Sequence, residues 1–257
     1  MSDVLTLLKA GTESQPLFMA HGMGGSADEF VDLVGFVRTE QCIYGLQAKG
    51  NDGVEPPFER IEDLARYYLD AIKRVQPRGP YSLIGFSLGG LVALEMARQI
   101  SSSGEIVALL AMLESYPHPK QLSLSQRIRL VSRRVKRRAL TLLPFPTHFN
   151  PRLKSSVHEP DDQIAVRTHT LPVTKRAYES AYTAWKHYQP RLYQGKIHFV
   201  KAAVTTIYPD DPVAVWGKLV EEIEVQTVPG DHHGILNTYF GILGSVLSRY
   251  LREVPPG

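Results

Sequence analysis

Short runs of consecutive apolar residues alternate along this chain with stretches whose apolar residues recur every three or four positions. The first pattern is that of strands buried on both faces, and the second that of helices with one apolar side. Leu17-Phe18-Met19-Ala20 and Ile43-Tyr44-Gly45-Leu46 read as two such strands. Ile61, Leu64, Ala65, Tyr68, Ile72 and Val75 fall at helical spacing and predict a helix over about 61 to 76, which Pro77 and Gly79-Pro80 end. Tyr81 to Ile84 predicts the next strand, Leu91 to Ile100 a helix apolar nearly all round, and Ile106 to Leu113 a further strand. The alternation predicts an α/β fold, a mostly parallel sheet flanked by helices.

The rhythm breaks at about residue 117 and resumes at about 188. Prolines and scattered histidines fill this interval, together with two helical patterns, Ser123 to Leu143 and Lys175 to His187. The first carries a basic run, Arg133, Arg134, Lys136, Arg137 and Arg138. Beyond it come a strand at Lys196 to Lys201, a Pro-led helix near Val213, a strand at Ile223 to Val228 and a final helix from Gly234 to Leu251. A sheet interrupted once predicts a single domain over residues 1–257 with a helical lid inserted at approximately 117–188.

Composition narrows the setting. Apolar residues are 43% of the chain and charged residues 21%, as in ordinary globular domains. No run reaches the roughly 18 apolar residues that a membrane helix needs, and the first residues lack the basic flank and apolar core of a secretory signal. Cys42 is the single cysteine, so no intrachain disulfide can form and a cytoplasmic location is expected. A net charge of +3 is too mild to argue for nucleic acid but leaves room for an acidic protein partner.

The candidate chemistry begins at Gly85-Phe86-Ser87-Leu88-Gly89, which lies between a predicted strand and a predicted helix. In that context the Gly-x-Ser-x-Gly pattern is a nucleophile elbow, a turn so sharp that side chains at its glycines would strike neighbouring backbone. Ser87 then opens a helix, whose free N–H groups favour a developing oxyanion. A serine nucleophile needs a base after the last core strand, and Pro229-Gly230-Asp231-His232-His233-Gly234 lies there. The Gly-rich loop His21-Gly22-Met23-Gly24-Gly25 follows an early strand. It predicts the second half of an oxyanion hole, with backbone donors at Met23 and at Leu88, while His21 shapes the turn.

With these residues placed, the chain resembles the type I thioesterase domains that end non-ribosomal peptide and polyketide synthases, members of the α/β-hydrolase superfamily. The resemblance rests on Pro16 to Gly25, Tyr44 to Gly50, Gln76 to Ser87 and Gly89 to Arg98, and returns at Tyr188-Gln189-Pro190 and Val228 to His232. It implies that His232, not His233, is the catalytic histidine. It also implies a reaction, in which an acyl or peptidyl chain passes from the phosphopantetheine thiol of a carrier protein to the serine, and then to water or an internal nucleophile. No cofactor of the enzyme's own is implied, since the phosphopantetheine belongs to the carrier. The carrier is the expected partner, acting in trans or from the rest of a synthase, and the basic run offers it a landing surface or is simply a solvated face. One position departs from the family's pattern. Its usual Leu-Asp-Ser-Tyr-Pro string is Leu113-Glu114-Ser115-Tyr116-Pro117 here, so Glu114 is the expected triad acid, with Asp211 (beside Asp210) as the alternative. The same triad would also serve an esterase acting on oxygen esters, or survive in a scaffold that only binds.

Overall fold

The computed structural model describes residues 4–51, 53–141, 175–204 and 208–254. Seven strands form one sheet: β1 (Leu5–Lys9), β2 (Glu13–Ala20), β3 (Gln41–Leu46), β4 (Tyr81–Phe86), β5 (Val107–Leu113), β6 (Tyr193–Ala202) and β7 (Val220–Val228). Their order is β1-β3-β2-β4-β5-β6-β7, parallel throughout except for β1, which runs antiparallel to β3. The helices are α1 (Val31–Val34), α2 (Ile61–Val75), α3 (Leu88–Ser102), α4 (Leu124–Thr141), α5 (Lys175–His187), α6 (Pro212–Trp216), α7 (Gly234–Asn237) and α8 (Phe240–Glu253).

The unbroken apolar runs are explained by burial on both faces of the sheet. Successive strand residues point to opposite sides. Phe18, Leu83, Leu110 and Met112 pack with Tyr68, Ile72, Leu91 and Met96 of α2 and α3. Their sequence neighbours Leu17, Met19, Ile84 and Ala111 pack with Leu33 of α1 and Leu243, Leu247 and Tyr250 of α8. Helix α3 is apolar nearly all round because it lies between the sheet, α2 and the chain that follows β5. Each large side chain so buried contributes about 1.5–3 kcal/mol.

The pattern does not foretell every element. The pattern assigns no strand to Leu5–Lys9, which forms the half-buried β1, with Leu7 53% exposed. The final helix expected from Gly234 to Leu251 is two helices, α7 and α8. The N–H groups of Thr238 and Tyr239 both donate to Gly234 O at 2.9 Å, which closes α7 after one turn. Helix α8 then restarts on a new axis, with Phe240 against Phe36 and Gly244 close to the Phe36 backbone.

Of the insert expected at 117–188, α4 and α5 are present where the periodicity put them, and Leu130, Ala184 and Tyr188 join the core. Residues 142–174 lie outside the described residues, as do the side chains of Arg133, Arg134, Lys136, Arg137 and Arg138. The carboxyl ends of β2, β4, β5, β6 and β7 share one edge of the sheet, where parallel α/β folds assemble their sites.

Candidate functional site

Between β4 and α3 the chain turns at Ser87, whose φ of 53° and ψ of −116° are costly for a residue with a side chain. Three hydrogen bonds hold it there. Ser87 N–H donates to Leu113 O at 2.9 Å, Gly90 N–H to Ser87 O at 3.2 Å, and Ser115 Oγ to Ser87 O at 2.6 Å. The glycines are sterically required. A Cβ on Gly85 would lie 2.1 Å from Gly89 O, and one on Gly89 would lie 2.1 Å from Ala20 O.

His232, in the loop after β7, brings Nε2 to 3.1 Å from Ser87 Oγ. Phe86 stacks on its ring at 4.9 Å and 28°. His233 meets it edge-on at 5.0 Å, and serves as N-cap of α7. On the other side of the imidazole, Glu114 Oε2 lies 3.6 Å from Nδ1. That is an ion-pair distance, longer than a hydrogen bond, and the buried Nδ1 has no hydrogen-bond partner among the described residues. Bonds of this kind in free enzymes are often long and tighten when substrate binds. Glu114 is 1% exposed, has a positive φ of 46°, and is fixed by Ala202 N–H donating to Oε1 at 2.6 Å. Of the two candidate acids, then, Glu114 faces the histidine. The Asp211 carboxylate instead caps α6, accepting from Ala214 N–H at 3.0 Å. Asp210 is bound through its backbone, its carbonyl accepting from Lys201 Nζ at 2.5 Å.

Leu88 is the first residue of α3, and Met23 lies in the loop after β2. The loop is braced from beneath. Gly22 O accepts from His21 Nδ1 at 2.6 Å, so His21 carries its proton there and its Nε2 accepts from the Tyr68 hydroxyl. Gly22 N–H donates to Glu29 Oε1 at 2.5 Å. Burial drives His21 down to about 4, partly offset by its bond to Gly22, and drives Glu29 up to about 8, partly offset by the Gly22 N–H. Both side chains are therefore uncharged at neutral pH.

Two participants escape sequence reasoning. Glu29 is one, since its partner is a backbone N–H seven residues away. Tyr208 is the other. It follows β6, and its ring lies 4.8 Å from the His232 ring. Its place just beyond the carboxyl end of a core strand is the only signal the sequence offers for it.

Comparison with known proteins bears on the family and the fold. The chain is 42% identical over 116 residues to a dimodular nonribosomal peptide synthase of Bacillus subtilis, a match covering 45% of this chain and 5% of that protein. It is 41% identical over 104 residues to the nonribosomal peptide synthetase btyA of Aspergillus terreus, covering 40% and 11% respectively. The chain thus spans only a small fraction of these curated relatives. Among solved structures, the type II thioesterase BorB from the borrelidin biosynthetic cluster superposes with a TM-score of 0.67 at 20% identity, over 98% of this chain and 99% of that one. The NocB thioesterase domain, in covalent complex with a fluorophosphonate nocardicin G analogue, gives 0.65 at 21% identity over 98% and 100%. These likenesses show a shared α/β-hydrolase fold. The model of the thioesterase domain matches residues 15–250, nearly the whole chain, and the chain belongs to that family.

Proposed function

We propose that this domain releases acyl, polyketide or peptidyl chains from the phosphopantetheine thioester of a carrier protein, with Ser87 as nucleophile, His232 as base and Glu114 as acid. The single observation that carries the assignment is the line from Ser87 Oγ to His232 Nε2 at 3.1 Å and on from Nδ1 to Glu114. Ser87 Oγ attacks the thioester carbonyl as its proton passes to Nε2. The C–S bond then breaks, and the thiolate takes that proton and leaves as the carrier thiol. Water, or a nucleophile within the chain, repeats the sequence on the resulting ester and restores Ser87. Glu114 holds the imidazole with its proton on Nδ1 and stabilises the imidazolium between these steps. The backbone N–H groups of Met23 and Leu88 are the proposed oxyanion donors, each worth about 3 kcal/mol. No cofactor of the enzyme's own enters the scheme. A thiol is a good leaving group, so acylation asks little beyond this machinery.

The carrier, whether a separate chain or another part of a synthase, is proposed on the strength of the family and of the relatives' names. Turnover of an acyl-pantetheine thioester, together with fluorophosphonate labelling, tests the site. Wild type gains the label at Ser87, while Ser87→Ala does not and loses turnover by several orders of magnitude. Glu114→Gln keeps the shape but lets the histidine choose the wrong tautomer, a change worth about ten-thousand-fold in a serine protease. Asp211→Asn, altering only a helix cap, stays near wild type. Ser87→Ala turnover above about a tenth of wild type would reject the nucleophile, and a crippled Asp211→Asn beside an active Glu114→Gln would reject the acid.

A further inference from the structure

Two polar contacts flank the His232 imidazole, and neither orients it through the whole reaction. Nδ1 faces Glu114 at 3.6 Å, too far for a hydrogen bond until substrate tightens the site. Nε2 meets Ser87 Oγ at 3.1 Å, a contact that depends on the hydroxyl proton of Ser87. Once Oγ is an ester oxygen that proton is gone, and Nε2 has nothing to accept from it. The second torsion of a histidine side chain is broad, so the ring turns unless its surroundings hold it. Aromatic contacts are in place to do so. Phe86, inside the elbow, stacks on the imidazole at 4.9 Å and 28°, and Tyr208 lies at 4.8 Å, tilted by 46°. Tyr208 is braced in turn. Its ring stacks on Tyr116 at 5.3 Å and 15°, and Tyr116 meets Phe199 of β6 edge-on at 5.1 Å. Tyr116 is 2% exposed, and its carbonyl accepts from Trp185 Nε1 of α5 at 3.0 Å. The chain just beyond Tyr208 is held as well, since Asp210 O accepts from Lys201 Nζ and Asp211 caps α6.

We propose that Tyr208 is a positioning residue for the base: its ring, braced by Tyr116, keeps the His232 imidazole turned so that Nε2 points at the reacting oxygen. The inference rests on the reading of His232 as base. That oxygen is Ser87 Oγ during acylation and the attacking water during deacylation, and Nε2 must face both from the same place. Packing between rings orients the imidazole without a proton, so it acts before substrate arrives and persists when Oγ is acylated. The ring, not the hydroxyl, carries the effect. A base turned away from the proton it must take loses the advantage of a fixed geometry, and displacements near 1 Å at a site cost about a hundred-fold in rate.

Steady-state kinetics on a small acyl-pantetheine thioester, with the rate of fluorophosphonate labelling at Ser87, tests this. Tyr208→Leu removes the ring and should lower kcat about ten- to a hundred-fold with KM near wild type, and slow labelling by a similar factor. Tyr208→Phe keeps the ring and should restore most of both rates. Tyr208→Met fills the space with a flexible chain, should repeat the loss, and serves in its place where Tyr208→Leu does not fold. The imidazole can also be watched directly by NMR of protein carrying isotope-labelled histidine, its His232 signal assigned by its disappearance in His232→Ala. That signal should be sharp in wild type and Tyr208→Phe and broaden in Tyr208→Leu, as the ring samples more than one orientation. A Tyr208→Phe variant as impaired as Tyr208→Leu would overturn the proposal, because the hydroxyl would then be what matters. A raised KM with unchanged kcat would overturn it by making the ring a substrate contact, and so would wild-type kinetics or a sharp His232 signal in Tyr208→Leu. The His232→Ala variant keeps the two readings apart. Turnover retained there would sink the base assignment itself, whereas an inactive His232→Ala beside a fully active Tyr208→Leu would sink the positioning role alone.

Discussion

His21 and Glu29 both bond to the backbone of Gly22, and burial removes the charge of each by moving its pKa in the opposite direction. Their effects on stability therefore have opposite signs. His21 titrates near 4 when folded and near 6.5 when unfolded, so between these values the unfolded chain binds more protons and stability rises with pH. Glu29 titrates near 8 when folded and near 4.5 when unfolded. Between these values the folded chain holds a proton that the unfolded chain has lost, so stability falls as pH rises. From 6.5 to 8 the His21 contribution is constant and only the Glu29 decline remains of the two. Glu29→Gln keeps an acceptor for the Gly22 N–H but cannot ionise. Urea midpoints at pH 6.5 and pH 8 should fall more in wild type than in Glu29→Gln, and equal falls would assign the decline to another group. None of this was legible in the sequence, where Glu29 is one acidic residue in a polar stretch. Ser87 was legible because an elbow restricts which residues its backbone tolerates; chain order pointed to the His232-His233 pair after the last strand, and the family resemblance singled out His232.

The elbow shows at the scale of elements how a helix and a strand share space that only glycine can supply. Helix α3 starts so close to the end of β2 that a Cβ on Gly89 would lie 2.1 Å from Ala20 O and 2.3 Å from His21 O. Both contacts are with backbone, so no side chain can swing aside. Gly89→Ala must push α3 away from β2, and the proposed oxyanion loop begins at His21. The expected cost is about 1–3 kcal/mol of stability. Turnover should fall about a hundred-fold, because displacements near 1 Å at a site have effects of that size. Gly104 lies just past the other end of α3, with open space around it but a φ of +81°. Gly104→Ala should cost about 1–2 kcal/mol through that backbone conformation alone and leave turnover unchanged. Urea unfolding and thioester assays on the two variants check the contrast, and a similar loss of turnover in both would show that α3 stability, not its approach to β2, limits the site. Elements with buried faces were the ones readable in advance. Strand β1 is specified by its pairing with β3, and the break between α7 and α8 by packing on Phe36, and neither leaves a periodic trace.

At the scale of the molecule, strand order brings together groups that are far apart in the chain. The elbow follows β4, Glu114 follows β5, Tyr208 follows β6 and His232 follows β7, so four successive strands of the parallel sheet each deliver one group to the same edge. Beside that edge, α4 presents Leu124, Ile128, Val131 and Val135 at intervals of four, three and four, all more than half exposed, with Arg127 and Arg129 also exposed. The basic run continues along the same helix in sequence, although its side chains fall outside the described residues. If an acidic carrier docks on α4, association gains from charge attraction that salt screens over about 10 Å at 0.1 M. Replacing Arg133, Arg134 and Arg137 together by Glu should then lower turnover of carrier-bound substrate about tenfold or more at low ionic strength and flatten its salt dependence. Small pantetheine thioesters, which need no docking, should be processed as before. Measuring both substrates across a salt series separates the possibilities. Equal loss on both would mean that the substitutions disturb the fold of the insert, and no loss on either would leave α4 a solvated face.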